Sequence, residues 1–193
     1  MNAVAVTTIG VSIAVPEPYG RLLQDLRAGF GDPAACAIPT HVTLLPPTEI
    51  GRDELPAFGR HLAGVAAHGR PFAMRLDGTD SFRPVSPVVY VRVTEGGAAC
   101  ADLQERVRSG PVARELQFPY HPHVTVAHGI ADVAMDRAQS ELAGFTATWT
   151  ASGFALYEQS TDEVWRQLRV FPFGPEDRPA LPHQPARRTH SRL

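Results

Sequence analysis

The tripeptide His-Val-Thr occurs twice, at 41–43 and 123–125, each time inside a run rich in Val, Leu and Thr. The two runs are Pro39-Thr40-His41-Val42-Thr43-Leu44-Leu45 and Tyr120-His121-Pro122-His123-Val124-Thr125-Val126-Ala127-His128. Both read as β-strands. Successive side chains of a strand point to opposite faces, so residues i and i+2 share one face. His41 and Thr43 therefore project together, while Val42 and Leu44 turn towards a core. His123 and Thr125 repeat the arrangement, with Val124 and Val126 as their buried partners. Two such strands side by side would offer two imidazoles and two hydroxyls to one small, oxygen-rich ligand, as a phosphate site requires.

The chain around the motifs alternates between strand and helix patterns. Ile9, Val11, Ile13 and Val15 mark a half-buried strand over 7–15. Pro18 is placed to open a helix carrying Leu22, Leu23, Leu26 and Phe30, with Gly31 as its stop. The first motif strand, about 40–45, is closed by Pro46 and Pro47. A second helix is expected from near Asp53 to Ala67, then a strand through Phe72, Met74 and Leu76 and a turn at Asp77-Gly78-Thr79-Asp80. Residues 81–87 read as an irregular loop leading into a strand over 88–93. Leu103 and Val107, with Val112 and Leu116 beyond them, mark helical structure before the second motif. A helix over 132–142 and strands at 145–149, 154–156 and 164–171 complete the pattern, with a turn at Asp162. The mixture predicts an α+β fold with largely antiparallel sheets, and the two halves look like versions of one unit.

Composition narrows the function. At 193 residues with 44% hydrophobic and 20% charged, the chain suits one domain of ordinary size or two lobes sharing a cleft. A net charge of −2 lacks the broad basic excess of a nucleic-acid scaffold. All 18 basic residues are Arg, which suits phosphate contacts. Cys36 and Cys100 stand apart without a CxxC or Cys/His cluster, as expected of free thiols in a reducing cytoplasm. No apolar run reaches a membrane span, and the N-terminus lacks a signal-peptide pattern; a cytoplasmic protein without membrane contact is expected. There is no glycine-rich phosphate loop of the GxxxxGK[ST] or GxGxxG kind, which argues against an ATPase or a dinucleotide enzyme.

Two His-x-Thr strands support phosphodiester chemistry. One group must take a proton from the attacking oxygen, and another must give one to the leaving oxygen across phosphorus. Imidazole suits both roles because it titrates near neutrality. The threonine hydroxyls can donate to the non-bridging oxygens as charge builds there. Nothing in this scheme calls for a metal or another cofactor.

His41-Val42-Thr43-Leu44 and His123-Val124-Thr125-Val126 match the paired HxT-hydrophobic motifs of the 2H phosphoesterase superfamily. The layout most resembles its 2'-5' RNA ligase and cyclic phosphodiesterase branch over about residues 7–173. The resemblance implies two lobes related by a pseudo-twofold, flanking a central cleft, each giving one motif. It also implies hydrolysis of 2',3'-cyclic phosphate ends of RNA or nucleotides, or reversible joining of RNA ends through a 2'-5' bond. It carries acid and base roles onto His41 and His123, and phosphate contacts onto Thr43 and Thr125. Some members of that superfamily place Arg three residues after the second Thr, where this chain has His128. Arg83, in the loop before the 88–93 strand, is a candidate to supply the missing cation beside His128. Phe82 and Tyr120 are candidates to stack a base.

Two other readings compete. His121, His123 and His128 could hold zinc, but this explains neither the first motif nor the threonines. A module that binds a nucleotide or an RNA end without turning it over would keep the site and lose only the chemistry. The protein is expected to act as a monomer. Residues 174–193, with four prolines and four arginines and little apolar content, read as a disordered tail beyond a two-lobed domain over 1–173. Truncation after Phe173 should leave Tm unchanged in a thermal melt, and a large drop would show that the tail docks on the domain.

Overall fold

A computed structural model describes residues 5–174; most of the expected tail, 175–193, lies outside the described residues. The elements are β1 (Val6–Ala14), α1 (Tyr19–Gly29), a 3₁₀ turn (Pro33–Cys36), β2 (His41–Gly51), α2 (Leu55–Ala67), β3 (Phe72–Ser81) and β4 (Val88–Glu95). They continue as α3 (Gly97–Arg108), β5 (His123–His128), α4 (Asp132–Glu141), β6 (Thr146–Ala151), β7 (Gly153–Gln159) and β8 (Trp165–Pro172). The strands form two four-stranded antiparallel sheets, in the orders β2-β1-β7-β8 and β5-β4-β3-β6. No helix among the described residues is long and apolar enough to cross a membrane.

The expected pseudo-symmetry is visible in the connections. β1-α1-β2 builds one end of the first sheet, and β4-α3-β5 builds the same end of the second. Each motif strand is thus an edge strand. The connecting helices are exchanged: α1 packs against β5, α3 packs against β2, and the two motif strands touch each other. The lobes are not the halves of the chain, because each sheet combines strands from before and after residue 100.

The alternation read from the motifs is realised. Val42, Leu44, Val124 and Val126 are essentially inaccessible, while His41, Thr43, His123 and Thr125 are half-buried on the opposite face. The buried residues join one core shared by both sheets, to which Phe58 and Leu62 of α2 and Leu103 and Val107 of α3 contribute.

Three expectations fail, each for a local reason. β2 does not stop at Pro46-Pro47 but runs to Gly51. Proline lacks an amide donor, which an edge strand tolerates on its unpaired side. β3 continues through the expected turn at 77–80. Gly78 takes a left-handed φ of 64°, and the pairing slips from Leu76↔Val93 to Thr79↔Val91. A glycine bulge therefore bends the strand where composition reads as a turn. Val112 and Leu116 lie beyond the helix, since α3 ends at Arg108.

A buried ion pair ties the lobes together. Arg27, at the end of α1, donates from Nε to Oδ2 of Asp32 at 2.7 Å, and both side chains are almost fully buried. Asp32 also caps the 3₁₀ turn through the Ala34 amide, and it accepts the His128 amide of β5 at 3.0 Å. One carboxylate of the first lobe thus holds the end of the second motif strand. Removing one partner of a buried pair leaves the other charge uncompensated and typically costs about 3–5 kcal/mol. Arg27→Met should lower the stability at pH 7 by that order in denaturant unfolding. A loss below ~1 kcal/mol would show that the pair does not hold this junction.

Candidate active site

Each motif histidine is held in the same way. His41 Nδ1 lies 2.6 Å from the carbonyl of Pro39, and His123 Nδ1 lies 2.6 Å from the carbonyl of His121. A carbonyl can only accept, so Nδ1 must carry the proton and donate. Nε2 is left as the nitrogen with the free lone pair, or with the second proton when the ring is charged. The segment before His41 is itself anchored to α1. Thr40 donates its hydroxyl to the carbonyl of Gly20, lies 2.8 Å from Gln24 Oε1, and Gln24 Nε2 donates to the carbonyl of Ile38. A second lobe-to-lobe contact reaches the first motif: the Tyr120 hydroxyl donates to the carbonyl of Thr43 at 2.8 Å.

The ladders match as well. Thr43 pairs with Ser12 and Leu45 with Val11, so two residues of β2 oppose one of β1. Thr125 pairs with Tyr90 and Ala127 with Val89, the same slip one residue after the threonine. In β5 this bulge makes Val126 and Ala127 consecutive buried residues and leaves His128 exposed. His128 thereby returns to the face of Thr125, although three residues of a regular strand would have turned it away.

Both imidazoles are held below the ordinary histidine range. Burial lowers the pKa of His41, aided by the charge of Arg27 and opposed by the Pro39 carbonyl. Burial also brings His123 down to about 4, opposed by the His121 carbonyl and aided by the charges of His121 and His41. The two histidines sit on strands that touch each other at the β2–β5 junction.

The other candidate residues fall into distinct places. Arg83 is committed to α4: its guanidinium pairs with Asp136 at 2.8 Å and Asp132 at 3.6 Å and bonds Gln139. Phe82 packs on Tyr90 with centroids 4.3 Å apart and meets His123 and His121 edge-on at 5.0 and 5.3 Å. Tyr120 is half-buried, with its hydroxyl engaged by Thr43. Among the described residues no group of three His, Cys, Asp or Glu is arranged to hold a metal ion.

Several residues beside the motif histidines escaped the sequence reading. Tyr90 and Arg92 stand directly across from Thr125 and His123. Strand alternation over 88–93 places both on the polar face, so the signal was present. Arg92 is exposed and donates from Nε to the carbonyl of Asp77 at 3.0 Å. On the first lobe, an open groove runs from His41 and Thr43 over Gly10 and Ser12 to Tyr157 and Trp165. Gly10 was its one sequence signal, a glycine inside a strand of branched residues.

Comparison with known proteins agrees with this architecture. The model of the 2'-5' RNA ligase superfamily matches residues 15–163. A Bacillus cereus protein named "Putative phosphoesterase" is 30% identical over 159 residues, spanning 80% of this chain and 92% of that protein. The crystal structure of Escherichia coli LigT in apo form superposes with a TM-score of 0.61 at 19% identity, covering 89% of this chain and 99% of that one. The same protein complexed with 3'-AMP also gives a TM-score of 0.61 at 19% identity, covering 89% of this chain and all of that one (100%).

The low pKa of His123 has a consequence for stability. An unfolded histidine titrates at about 6.5, so the unfolded chain binds a proton that the folded site refuses between that pH and about 4. The folded state is therefore undisturbed by this group above pH ~6.5 and loses stability as the pH falls towards the folded value. His123→Asn should lose less Tm than the wild type between pH 7 and pH 5. Equal losses would show that the ring accepts a proton in place without cost.

Proposed function

The chain belongs to the 2'-5' RNA ligase superfamily, and from that premise we propose that it is a metal-independent phosphodiesterase acting on 2',3'-cyclic phosphate ends of RNA or nucleotides. The observation that carries the reading is the duplicated imidazole: two rings, each with Nδ1 donating to the carbonyl two residues earlier and Nε2 free. One Nε2 takes the proton of the attacking water, and the other protonates the departing ribose oxygen. The hydroxyls of Thr43 and Thr125 donate to the phosphate oxygens as charge develops, while His128 lies at the end of the same strand face. With an RNA 5'-hydroxyl in place of water, the same pair in the same direction opens the cyclic phosphate and forms a 2'-5' bond, and the reverse step cleaves that bond. The complex of E. coli LigT with 3'-AMP supports a nucleotide as the ligand class. Arg83, paired with two aspartates, contributes to the field near the site more readily than to a direct phosphate contact.

Desolvation of the rings sets the pH dependence. In the free protein both pKa values lie below 6.5, His123 at about 4 and His41 lowered. The form with one ring charged and one neutral is then most abundant on the acid side of pH 6.5. The kcat/KM profile on a nucleoside 2',3'-cyclic phosphate should be a bell with its maximum below that pH. The kcat profile should peak higher, because a bound phosphate anion favours the imidazolium. His41→Ala and His123→Ala should each cost on the order of 10² to 10⁴ in rate, and the double variant little more. EDTA should change nothing. Folded single variants with full activity, on a substrate the wild type cleaves, would end this reading.

A further inference from the structure

The two lobes repeat the catalytic pair but differ in what surrounds it. Across from Thr125 stands Tyr90, and Phe82 and His121 close on it, so the face of the second sheet next to His123 is filled with rings. Across from Thr43 stands Ser12, one rung from Gly10, and the corresponding face of the first sheet is open. Ser12 and Tyr157 line the groove together. At the far end Trp165 lies over Gly10 so closely that a Cβ there would sit 3.1 Å from its Cζ3. Its backbone amide donates to the carbonyl of Ala37 at 2.8 Å, which joins β8 to the segment that leads into His41. The walls of this shallow, open groove are apolar (Ile38, Pro39, Leu45 and Pro47).

We propose that this groove is a nucleoside subsite, in which a nucleobase lies against Trp165 while its phosphate reaches the space between His41 and His123. An indole face with apolar walls takes any base by stacking, and the ring-filled second lobe offers no equivalent room. The inference rests on the phosphodiesterase reading and adds direction to it. Both ester oxygens of a 2',3'-cyclic phosphate belong to the ribose, so the departing oxygen always lies on the nucleoside side of phosphorus. Water must attack from the opposite side. With the nucleoside in the first lobe, His41 Nε2–H gives its proton to the ribose oxygen as the P–O bond breaks. His123 Nε2 removes a proton from the water whose oxygen bonds to phosphorus. The product is a nucleoside phosphomonoester, and the two rings exchange protonation states.

Kinetics with and without a base test the subsite. Base stacking on an aromatic ring is worth about 5- to 150-fold in affinity. Trp165→Ala should raise KM for adenosine 2',3'-cyclic phosphate within that range and leave kcat/KM for glycerol 1,2-cyclic phosphate within about twofold, while Trp165→Phe should retain most of the affinity. Equal losses on the two substrates would overturn the subsite. If the wild type cleaves neither, the phosphodiesterase reading fails on its own, and binding still decides the groove. In Trp149→Phe, Trp165 is the remaining indole, and 3'-AMP should quench its fluorescence saturably while inorganic phosphate does not. No quenching would overturn the proposal. The residual activity of each histidine variant tests the direction. His41→Ala should keep the rising acid limb of the pH profile and lose the falling limb, and His123→Ala should do the reverse. The opposite pattern would place the nucleoside in the second lobe.

Discussion

The site exists because the free edges of two different sheets are held against each other without being laddered together. β2 and β5 touch but belong to separate sheets, so regular backbone pairing cannot fix their relative position. Side chains and crossing helices do that work. Asp32, buried and neutralised by Arg27, takes the His128 amide at the end of β5. Tyr120, from the segment entering β5, gives its hydroxyl to the Thr43 carbonyl of β2. The exchange of α1 and α3 between the lobes adds apolar packing on both sides of the junction. Each contact runs from one lobe to the motif strand of the other, so the spacing of the two imidazoles depends on them.

Within that frame the two motif strands are built alike, and their surroundings differ. Equal hydrogen bonds to the carbonyl two residues earlier engage Nδ1 of each ring and leave its Nε2 available. Equal bulges after each threonine keep the polar faces in step. A symmetric pair could serve as acid and base in either order. The surroundings differ: Arg27 bears on His41, whereas His121 and the rings of Phe82 and Tyr90 surround His123. A small residue stands at position 12, across from Thr43, where a tyrosine stands at position 90, across from Thr125.

The sequence by itself determined the motif strands, their inward and outward faces and the pair of histidines, because alternation along a strand is a local property with period two. It also carried the order of helices and strands and the family. It misplaced boundaries where a tertiary partner overrode local chemistry: the prolines of an edge strand at 46–47 and the glycine bulge at 78. Only the tertiary structure decided that the edges of two sheets meet, that Arg83 is bound to Asp132 and Asp136, and that Trp165, far along the chain from His41, shares its groove. Those facts depend on contacts between residues distant in sequence, for which no periodicity exists to be read. The imidazole pKa values belong to the same class, since burial by both lobes, and not the His-Val-Thr triplet, sets them.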